Sequence, residues 1–332
     1  MGIVAVVAGA LAPVAYPFPA QAWFNVYHGG FGHDSGGGVA IDSVGNVIVA
    51  GYRATQAPPV QNDKEGLNAY LRKYSNTGVF LCEIEVKGPS TFTYPNERNS
   101  QDTFNGVAVD SQDNIIVVAA ISGDYYNWSQ NYWTGMYLNK YKPDCSPLWS
   151  QPVIYKYPGD SAWQSANSVV VDSNDNIFPT GSVFAGWGGP ETEWATWKYD
   201  ANGSLQSGFP IFYNYSSNFN FSDLSYDLAL DGLGNIVVVG YRGESWTGDT
   251  ATKNLDWHVR KYSPTGSLLW SDTYATSVNL YEIAVRVAVD SQNRPVVAGY
   301  LNKGTNNTSN ADFDWLVMKY AADGVEGQGQ RL

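Results

Sequence analysis

The sequence predicts an all-β protein, a five-bladed β-propeller with four strands in each blade. Three observations predict it. The composition is rich in aromatic residues and glycine, one motif occurs five times, and the last copy is unfinished in a way that a segment near the N-terminus can complete.

The composition favours strands and turns over helices. Aromatic residues make up 14% of the chain, charged residues only 15%, and 34 of the 332 residues are glycine. Disordered chains have few aromatic residues and a high charge density. Long amphipathic helices need Glu, Lys, Leu and Ala at a period of 3.6 residues, and that pattern is missing here.

The charge balance is acidic, with 19 Lys and Arg against 31 Asp and Glu and a formal net charge of -12. Such a surface repels a phosphate backbone, so we expect no nucleic-acid partner. Three His and two Cys, with neither an H-E-x-x-H nor a C-x-x-C motif, give little material for metal or thiol chemistry.

The repeat begins with an apolar run that leads to an Asp and a short turn. Its copies start at Val39, Val107, Val169, Leu228 and Val287. Their shared aspartates, 59 to 68 residues apart, are Asp42, Asp110, Asp172, Asp231 and Asp290. The D-x-x-x-N pattern predicts a hairpin turn, because Asp can bond its own backbone two residues on. Turn chemistry explains this Asp better than a calcium loop, which needs more ligands and a distal Glu.

A second block of each repeat ends in Lys-Tyr and leads into another turn. Its lysines are Lys73, Lys140, Lys198, Lys261 and Lys319. We interpret Lys-Tyr as structural, with the lysine stem packed over an aromatic ring. The four strands of a unit are then the run before Asp, the run after it, the Lys-Tyr run and a run after the second turn, as expected for a propeller blade.

Ring closure is predicted by the two ends of the chain. The last unit ends shortly after its third strand, and AWFNVYHGG before the first unit resembles a stray fourth strand. We expect residues 22–28 to pair with the last third strand, which would cover the edge that both ends otherwise expose.

These blocks resemble the SBBP-type β-propeller repeats of secreted and surface-exposed bacterial and archaeal proteins. The matching residues are D-x-x-G-N-[IV]-x-V-x-G-Y at Asp42 and Asp231, and D-W-x-V-x-K-Y-x-x-x-G at Asp256 and Asp314. The resemblance covers about residues 23–325 and departs in blade number, because that family is typically described as seven-bladed. It implies an extracellular scaffold or adhesion module with no catalytic residues to carry over.

Residues 1–21 form an uncharged apolar arm or leader peptide, and residues 22–332 the propeller. The apolar run before Pro13 is too short for a membrane span, which takes about 20 residues. Ala20-Gln21-Ala22 has the form of a signal-peptide cleavage site, but a positively charged start is missing. A retained arm could instead cover its own domain or add a strand to a neighbouring subunit.

Long loops rich in aromatic residues follow the second and fourth strands, where binding sites usually lie. Exposed rings there could bind sugars or a protein, although we favour the simpler interpretation that the rings pack the loops against one another. The candidate ligand-binding residues are Tyr125, Tyr126, Trp128, Trp133, Trp163, Trp187 and Trp246.

A set of polar residues lies eight positions before each motif Asp, at the start of the innermost strand. The set is Asp34, Asp102, Gln164, Asp223 and Glu282. Five-fold repetition would place these residues around one mouth of the channel, where their oxygens could hold Ca²⁺. The simpler interpretation, which we favour, is that each caps its own turn through backbone N–H groups.

Catalysis is not the favoured interpretation. His33, Asp34 and Ser35 are sequence neighbours on a strand and cannot converge as a triad does. A glycosidase needs two carboxylates about 5–9.5 Å apart, and Asp102 with Asp223 or Glu282 would be the candidates. Acids at one repeated position are unlike the unequal placement in propeller glycosidases.

Cysteines and glycosylation sequons bear on the compartment. Cys82 and Cys145 lie in adjacent blades and are candidates for a disulfide. N-x-[ST] sequons, which favour an extracellular glycoprotein, occur at Asn127, Asn202, Asn214, Asn220, Asn306 and Asn307.

The sequence therefore predicts a non-catalytic extracellular propeller that acts as a structural or adhesive cell-surface or filament subunit. Its expected partner is itself or a surface glycan or protein, without nucleic acid or a membrane span. It needs no cofactor unless the mouth binds Ca²⁺. The alternative is a lectin-like propeller that binds glycans with its aromatic loop face.

Overall fold

The computed structural model describes an all-β chain of antiparallel sheets. It describes Trp23, Val26, Tyr27 and residues 33–54, 67–87, 102–121, 135–155, 164–184, 192–214, 223–245, 254–276, 281–302 and 312–324. In these residues four sheets have four strands and a fifth has three. Consecutive strands of each sheet are neighbours, so each sheet is a meander built from one copy of the repeat.

The sheets are numbered as blades in chain order. Blade 1 contains β1 (Ser35–Ile41), β2 (Val47–Ala54), β3 (Leu67–Tyr74) and β4 (Phe80–Val86). Blade 2 contains β5 (Thr103–Val109), β6 (Ile115–Ile121), β7 (Gly135–Tyr141) and β8 (Val153–Tyr155). Blade 3 contains β9 (Gln164–Val171), β10 (Ile177–Phe184), β11 (Thr192–Thr196) and β12 (Ile211–Tyr213). Blade 4 contains β13 (Leu224–Leu230), β14 (Ile236–Ser245), β15 (Asn254–Tyr262) and β16 (Leu268–Tyr274). Blade 5 contains β17 (Glu282–Val289), β18 (Pro295–Asn302) and β19 (Phe313–Lys319).

The predicted D-x-x-x-N hairpin joins the first and second strands of blades 1 to 4, and in blade 5 Arg294 takes the place of the Asn. In blade 2, Asp110 Oδ1 accepts hydrogen bonds from the backbone N–H groups of Gln112 and Asn114, at 2.9 and 2.8 Å. The residue between them, Asp113, has a φ of 62°, and Gly45 has a φ of 83° at the same place in blade 1. The motif thus selects an Asx-type turn that holds one left-handed residue.

Apolar cores lie between successive blades. Ile48 and Leu71 of blade 1 pack in one buried cluster with Ile115 and Val117 of blade 2. Corresponding clusters join blades 2 and 3, 3 and 4, and 4 and 5. The alternation along each strand sends one set of side chains to the preceding blade and the other to the following blade.

The first strands of all five blades line one cavity of about 450 Å³. Residues on its wall come from β1, β5, β9, β13 and β17, for example Gly38, Gly106, Ser168, Asp227 and Arg286. The innermost strands therefore border a common space, as the first strands of propeller blades do.

Two aromatic residues before blade 1 pack on that blade. The Trp23 ring lies 5.8 Å from the Tyr74 ring, and its Nε1–H donates to the Asn76 carbonyl oxygen at 3.0 Å. The Tyr27 ring stacks on Tyr70 at 5.1 Å. Of the predicted closing strand 22–28 the structure describes only Trp23, Val26 and Tyr27, so its pairing with β19 stays a prediction.

In the described part of the chain, no helix has the length and hydropathy that a membrane crossing requires. The predicted arm, residues 1–21, lies outside the described residues.

Candidate functional site

The repeated Asp and Lys form ion pairs across their own blade, and three of these pairs are buried. Lys140 Nζ lies 2.7 Å from Asp110 Oδ2, and both side chains are almost fully buried. The same oxygen accepts a hydrogen bond from Asn114 Nδ2 at 2.9 Å. Equivalent Lys–Asp pairs, at 2.8 or 2.9 Å, are Lys73–Asp42, Lys261–Asp231 and Lys319–Asp290.

This pairing corrects the expectation that the lysine merely packs over an aromatic ring. That packing occurs in blade 3, where Lys198 Nζ lies 5.2 Å from the centre of the Phe178 ring. Elsewhere the ammonium group neutralises the turn carboxylate, which a buried carboxylate requires. The signal was present in the sequence, because the Asp and the Lys occur together in every copy of the repeat.

The ion pairs set the acidity of the turn carboxyl groups. Burial by itself would raise the pKa of Asp110, but hydrogen bonds from Lys140 and Asn114 outweigh burial, and the net pKa lies below the usual 3.8. The pKa of Asp231 is lowered in the same way by Lys261 and Asn235 against the effect of burial. Both groups are therefore carboxylates at neutral pH.

Four of the five motif lysines also tie their blade to the next one. Lys140 Nζ donates to the carbonyl oxygen of Ala201 in blade 3, at 3.2 Å. The other lysine-to-carbonyl bonds, all reaching the turn after the third strand of the following blade, are Lys73 to Pro143, Lys198 to Pro264 and Lys261 to Ala322. The motif thus links turn, strand and neighbouring blade through one ammonium group.

A second link joins the hairpin turns of neighbouring blades. The backbone N–H and the hydroxyl of Ser43 donate to the two carboxylate oxygens of Asp113, at 2.8 and 2.7 Å. Ser111 donates to Asp175 with the same two distances, and the Gly232 N–H donates to Asn293 Oδ1 at 2.8 Å. The acceptors are the left-handed residues of their turns, so the same residue shapes the turn and joins it to the neighbouring blade.

A disulfide joins Cys82 in β4 to Cys145 in the turn after β7. It crosses from blade 1 to blade 2, with a sequence separation of 63 residues. Disulfides of this kind persist in oxidising compartments such as the cell surface and the extracellular space.

The five residues of the predicted channel mouth lie at the starts of their blades. Asp102, Asp223 and Glu282 are fully buried, Gln164 is nearly so, and Asp34 is half-buried. Asp34 Oδ1 accepts from the Ala54 N–H, and Asp223 Oδ1 accepts from the Gly243 N–H, both at 3.0 Å. These two acceptors bond the end of the second strand of their own sheet.

No three of the four acidic mouth residues, all of them described, form a group that could hold a metal ion. Among the described residues, no three His, Cys, Asp or Glu side chains cluster as a metal site requires. Thr276 donates to Glu282 Oε1 at 2.5 Å, and burial raises the pKa of Glu282 despite that bond. Asp102 and its two candidate glycosidase partners, Asp223 and Glu282, are all fully buried.

The predicted aromatic binding residues, from Tyr125 to Trp246, all lie outside the described residues. Among the sequons, the structure describes Asn202 and Asn214, and both side chains are exposed. Asn127, Asn220, Asn306 and Asn307 lie outside the described residues.

Sequence reasoning missed a polar link inside the central cavity. Ser168 Oγ donates to Asp227 Oδ1 at 2.7 Å, and the Val287 N–H donates to Asp227 Oδ2 at 3.0 Å. This carboxyl group joins the first strands of blades 3, 4 and 5. Burial raises its pKa, and hydrogen bonds from Ser168 and Val287 offset part of that rise.

The outer face of blade 5 carries exposed aromatic residues. Trp315 is 93% exposed and Phe313 51% exposed, and both line an apolar groove with Tyr300 and Val317. The opposite face of the same blade packs on blade 4.

Comparison with known proteins supports the fold and leaves the family open. No family model matches the chain. An uncharacterized WD repeat-containing protein of Acanthamoeba polyphaga mimivirus is 25% identical over 268 residues, which is 72% of this chain. The chain spans 18% of the length of that curated relative.

Among solved structures, a polysaccharide lyase described as an ulvanlyase superposes with a TM-score of 0.51 at 14% identity, covering 87% of this chain and 68% of that one. A protein of unknown function from Bacteroides caccae covers 93% of this chain and 85% of its own, with a TM-score of 0.46 at 9% identity. At 14% identity the likeness to the polysaccharide lyase concerns the fold alone. The chain is an all-β protein with a propeller-like arrangement of repeated sheets.

Proposed function

We propose that the chain is a non-catalytic extracellular β-propeller that serves as a structural or adhesive subunit of a cell surface or filament. The observation that carries the proposal is that the repeated polar side chains bond to other parts of the protein itself. The motif Asp, Lys and Ser side chains bond within their blade or to the next one, and so act as joints of a scaffold.

The disulfide and the exposed sequons support an extracellular location. Cys82 and Cys145 are paired between two blades, as suits an oxidising compartment. The exposed Asn202 begins an N-G-S sequon in the turn after the third strand of blade 3, where an attached glycan would meet solvent. Relationship to the SBBP-type repeat proteins, which rests on the sequence motifs, belongs to the same proposal.

We further infer that the five blades close into one ring, with residues 22–28 as the fourth strand of blade 5. Trp23 packs on blade 1 as Trp270, in the fourth strand of blade 4, packs on blade 5. Trp270 lies 5.6 Å from Tyr320, and its Nε1–H donates to the Ala322 carbonyl oxygen at 3.4 Å. Trp23 makes the same two contacts, with Tyr74 and with the Asn76 carbonyl oxygen.

Glycan binding is the second candidate. The chain between the second and third strands leaves and re-enters the sheets at the same end in blades 2, 3 and 4, after Ile121, Phe184 and Ser245. Trp128, Trp187 and Trp246 belong in sequence to these three connections. Aromatic rings suit the binding of sugar rings.

One experiment separates the two candidates. The mass and morphology of the full chain and of a chain starting at residue 22 are measured by light scattering and negative-stain microscopy. A structural subunit forms polymers or defined oligomers that disappear without residues 1–21 and persist in Trp128→Ala and Trp187→Ala. Monomers in every case, with a glycan affinity that the two Trp variants abolish, would replace the structural role with the lectin role.

A further inference from the structure

Two tryptophans at the same repeat position have opposite environments. Trp257 in β15 and Trp315 in β19 both lie four residues before the motif lysine. Trp257 is fully buried, and its Nε1–H donates to the Tyr320 hydroxyl of blade 5 at 3.0 Å. Trp194, at this position in blade 3, is also buried, whereas Trp315 is 93% exposed. Trp194 and Trp257 lie in blades that are followed along the chain by another blade, whereas Trp315 lies in blade 5, the last one.

The motif lysines show the same contrast. The Lys261 side chain is 3% exposed and bonds the Ala322 carbonyl oxygen in the following blade. The Lys319 side chain is 40% exposed, with an ion pair to Asp290 in its own blade. Blade 5 therefore presents an aromatic ring and an ammonium group on the face that earlier blades turn towards a neighbour.

Blade 1 presents the matching acceptors. Tyr74 follows its motif lysine as Tyr320 does, and Asn76 lies at the position of Ala322. On the first strand, Val39 is 67% exposed, whereas its equivalent Val107 in blade 2 is 8% exposed because blade 1 covers it. The face of blade 1 that points away from blade 2 therefore leaves exposed an apolar position that a preceding blade covers in blade 2.

We propose that the outer face of blade 5 is an interaction surface for blade 1 of the same chain. By repeat equivalence, Trp315 Nε1–H donates to the Tyr74 hydroxyl, and Lys319 Nζ donates to the Asn76 carbonyl oxygen. The strand containing Trp23 and Tyr27 pairs with β19 in the register of β16 with β15. In that register Trp257 opposes Tyr274 and Lys261 opposes Trp270, so Trp315 opposes Tyr27 and Lys319 opposes Trp23.

The same chain is favoured over a second copy for two reasons. Gly38 of blade 1 and Arg286 of blade 5 already line one cavity, so the two blades border a common space. Trp23 and Tyr27 are covalently part of the chain whose blade 1 they contact, and linkage raises the effective concentration of such a contact to about the millimolar range. This inference rests on the proposed ring closure and not on assembly.

Crosslinking in the full chain tests the register. In Tyr27→Cys with Trp315→Cys, we expect a disulfide within one chain, read by peptide mass spectrometry and by the unchanged mass on a non-reducing gel. The matched control, Tyr27→Cys with Leu316→Cys, places the second thiol on the opposite face of β19 and should stay reduced. A covalent dimer through residues 27 and 315 would assign the surface to a second copy, and free thiols in both variants would refute the joint.

A second measurement does not depend on the new cysteines. Trp315→Ala should lower the Tm about as much as Trp257→Ala does, while light scattering shows the same monomeric mass for the wild-type and variant chains with residues 1–21 removed. Substitution of a solvent-exposed residue usually changes stability little. An unchanged Tm in Trp315→Ala would therefore overturn the proposal. Because residues 1–21 are absent from both chains, the result is independent of assembly through the arm.

Discussion

The Nζ atom of Lys140 lies 2.7 Å from Asp110 Oδ2 in its own blade and 3.2 Å from the Ala201 carbonyl oxygen in the next blade. One ammonium group thereby neutralises the hairpin turn and fixes the neighbouring blade. Repetition of this arrangement explains why the motif contains both an acid and a lysine about 30 residues apart in sequence.

Removal of the Lys140 charge should destabilise the protein strongly. Lys140→Met leaves the Asp110 carboxylate buried without its cation, a change that typically costs about 3–5 kcal/mol. Urea denaturation measures the loss. The control is Lys142→Met, an exposed lysine two residues further on, for which we expect a change within about 0.5 kcal/mol. Equal effects of the two substitutions would show that the ion pair does not hold the blade.

Stability should fall in acid because of the turn aspartates. The folded-state pKa of Asp42, Asp110 and Asp231 is below the usual 3.8. A lowered pKa contributes stability above the unfolded value, and that contribution is lost as the pH falls through the folded value. The free energy of unfolding should thus decline below about pH 4.

A variant isolates the contribution of one carboxylate. Asp110→Asn should be less stable than wild type at pH 7 and should lose less stability between pH 4 and pH 2. Parallel pH profiles for the two proteins would contradict the assigned role of Asp110.

The disulfide should contribute measurably to stability. Cys82 and Cys145 close a loop with a sequence separation of 63 residues, and such a link typically contributes about 2–4 kcal/mol. Cys145 also has a φ of 68°, at a position where blades 1 and 3 have glycine. The double variant Cys82→Ser with Cys145→Gly should have a lower free energy of unfolding than wild type, because the disulfide is lost. Glycine at the left-handed position offsets part of that loss. Dithiothreitol should destabilise the wild type and leave the double variant unchanged; equal sensitivity would exclude the disulfide as the cause.

The turn-to-turn link should depend on both the carboxylate and the backbone of Asp113. Asp113→Asn keeps one acceptor, as Asn293 does, and should be nearest to wild type. Asp113→Gly loses the bonds to Ser43 but suits the φ of 62°. Asp113→Ala loses the bonds and adds a left-handed penalty of about 1–2 kcal/mol, so it should be the least stable by thermal denaturation. An Ala variant as stable as the Gly variant would contradict this order.

Local sequence patterns predicted the blades well. The Asp turn and the Lys-Tyr block bracket strands such as β5 and β7, because turn chemistry and alternation act within a few residues. Contacts between blades were harder to predict. The bond from Lys140 to Ala201 and the link from Ser43 to Asp113 depend on how whole sheets pack, which no local pattern encodes.

The mouth residues show the same limit. Equal spacing correctly places Asp34 and Asp223 at the starts of their blades, but spacing carries no information about side-chain direction. One oxygen of each carboxylate bonds the end of the neighbouring strand, a contact that the spacing did not predict.

Hydrogen exchange at β19 tests the central claim, that the repeat builds one closed scaffold, most directly. The structure places β15 between two strands, and closure would place β19 in the same setting. We predict that the backbone amides of Phe313–Lys319 are protected as well as those of Asn254–Tyr262, since core strands exchange only through large openings. Exchange of alternate β19 amides at the rate of a free sheet edge would show that blade 5 has no fourth strand and would contradict the closed scaffold.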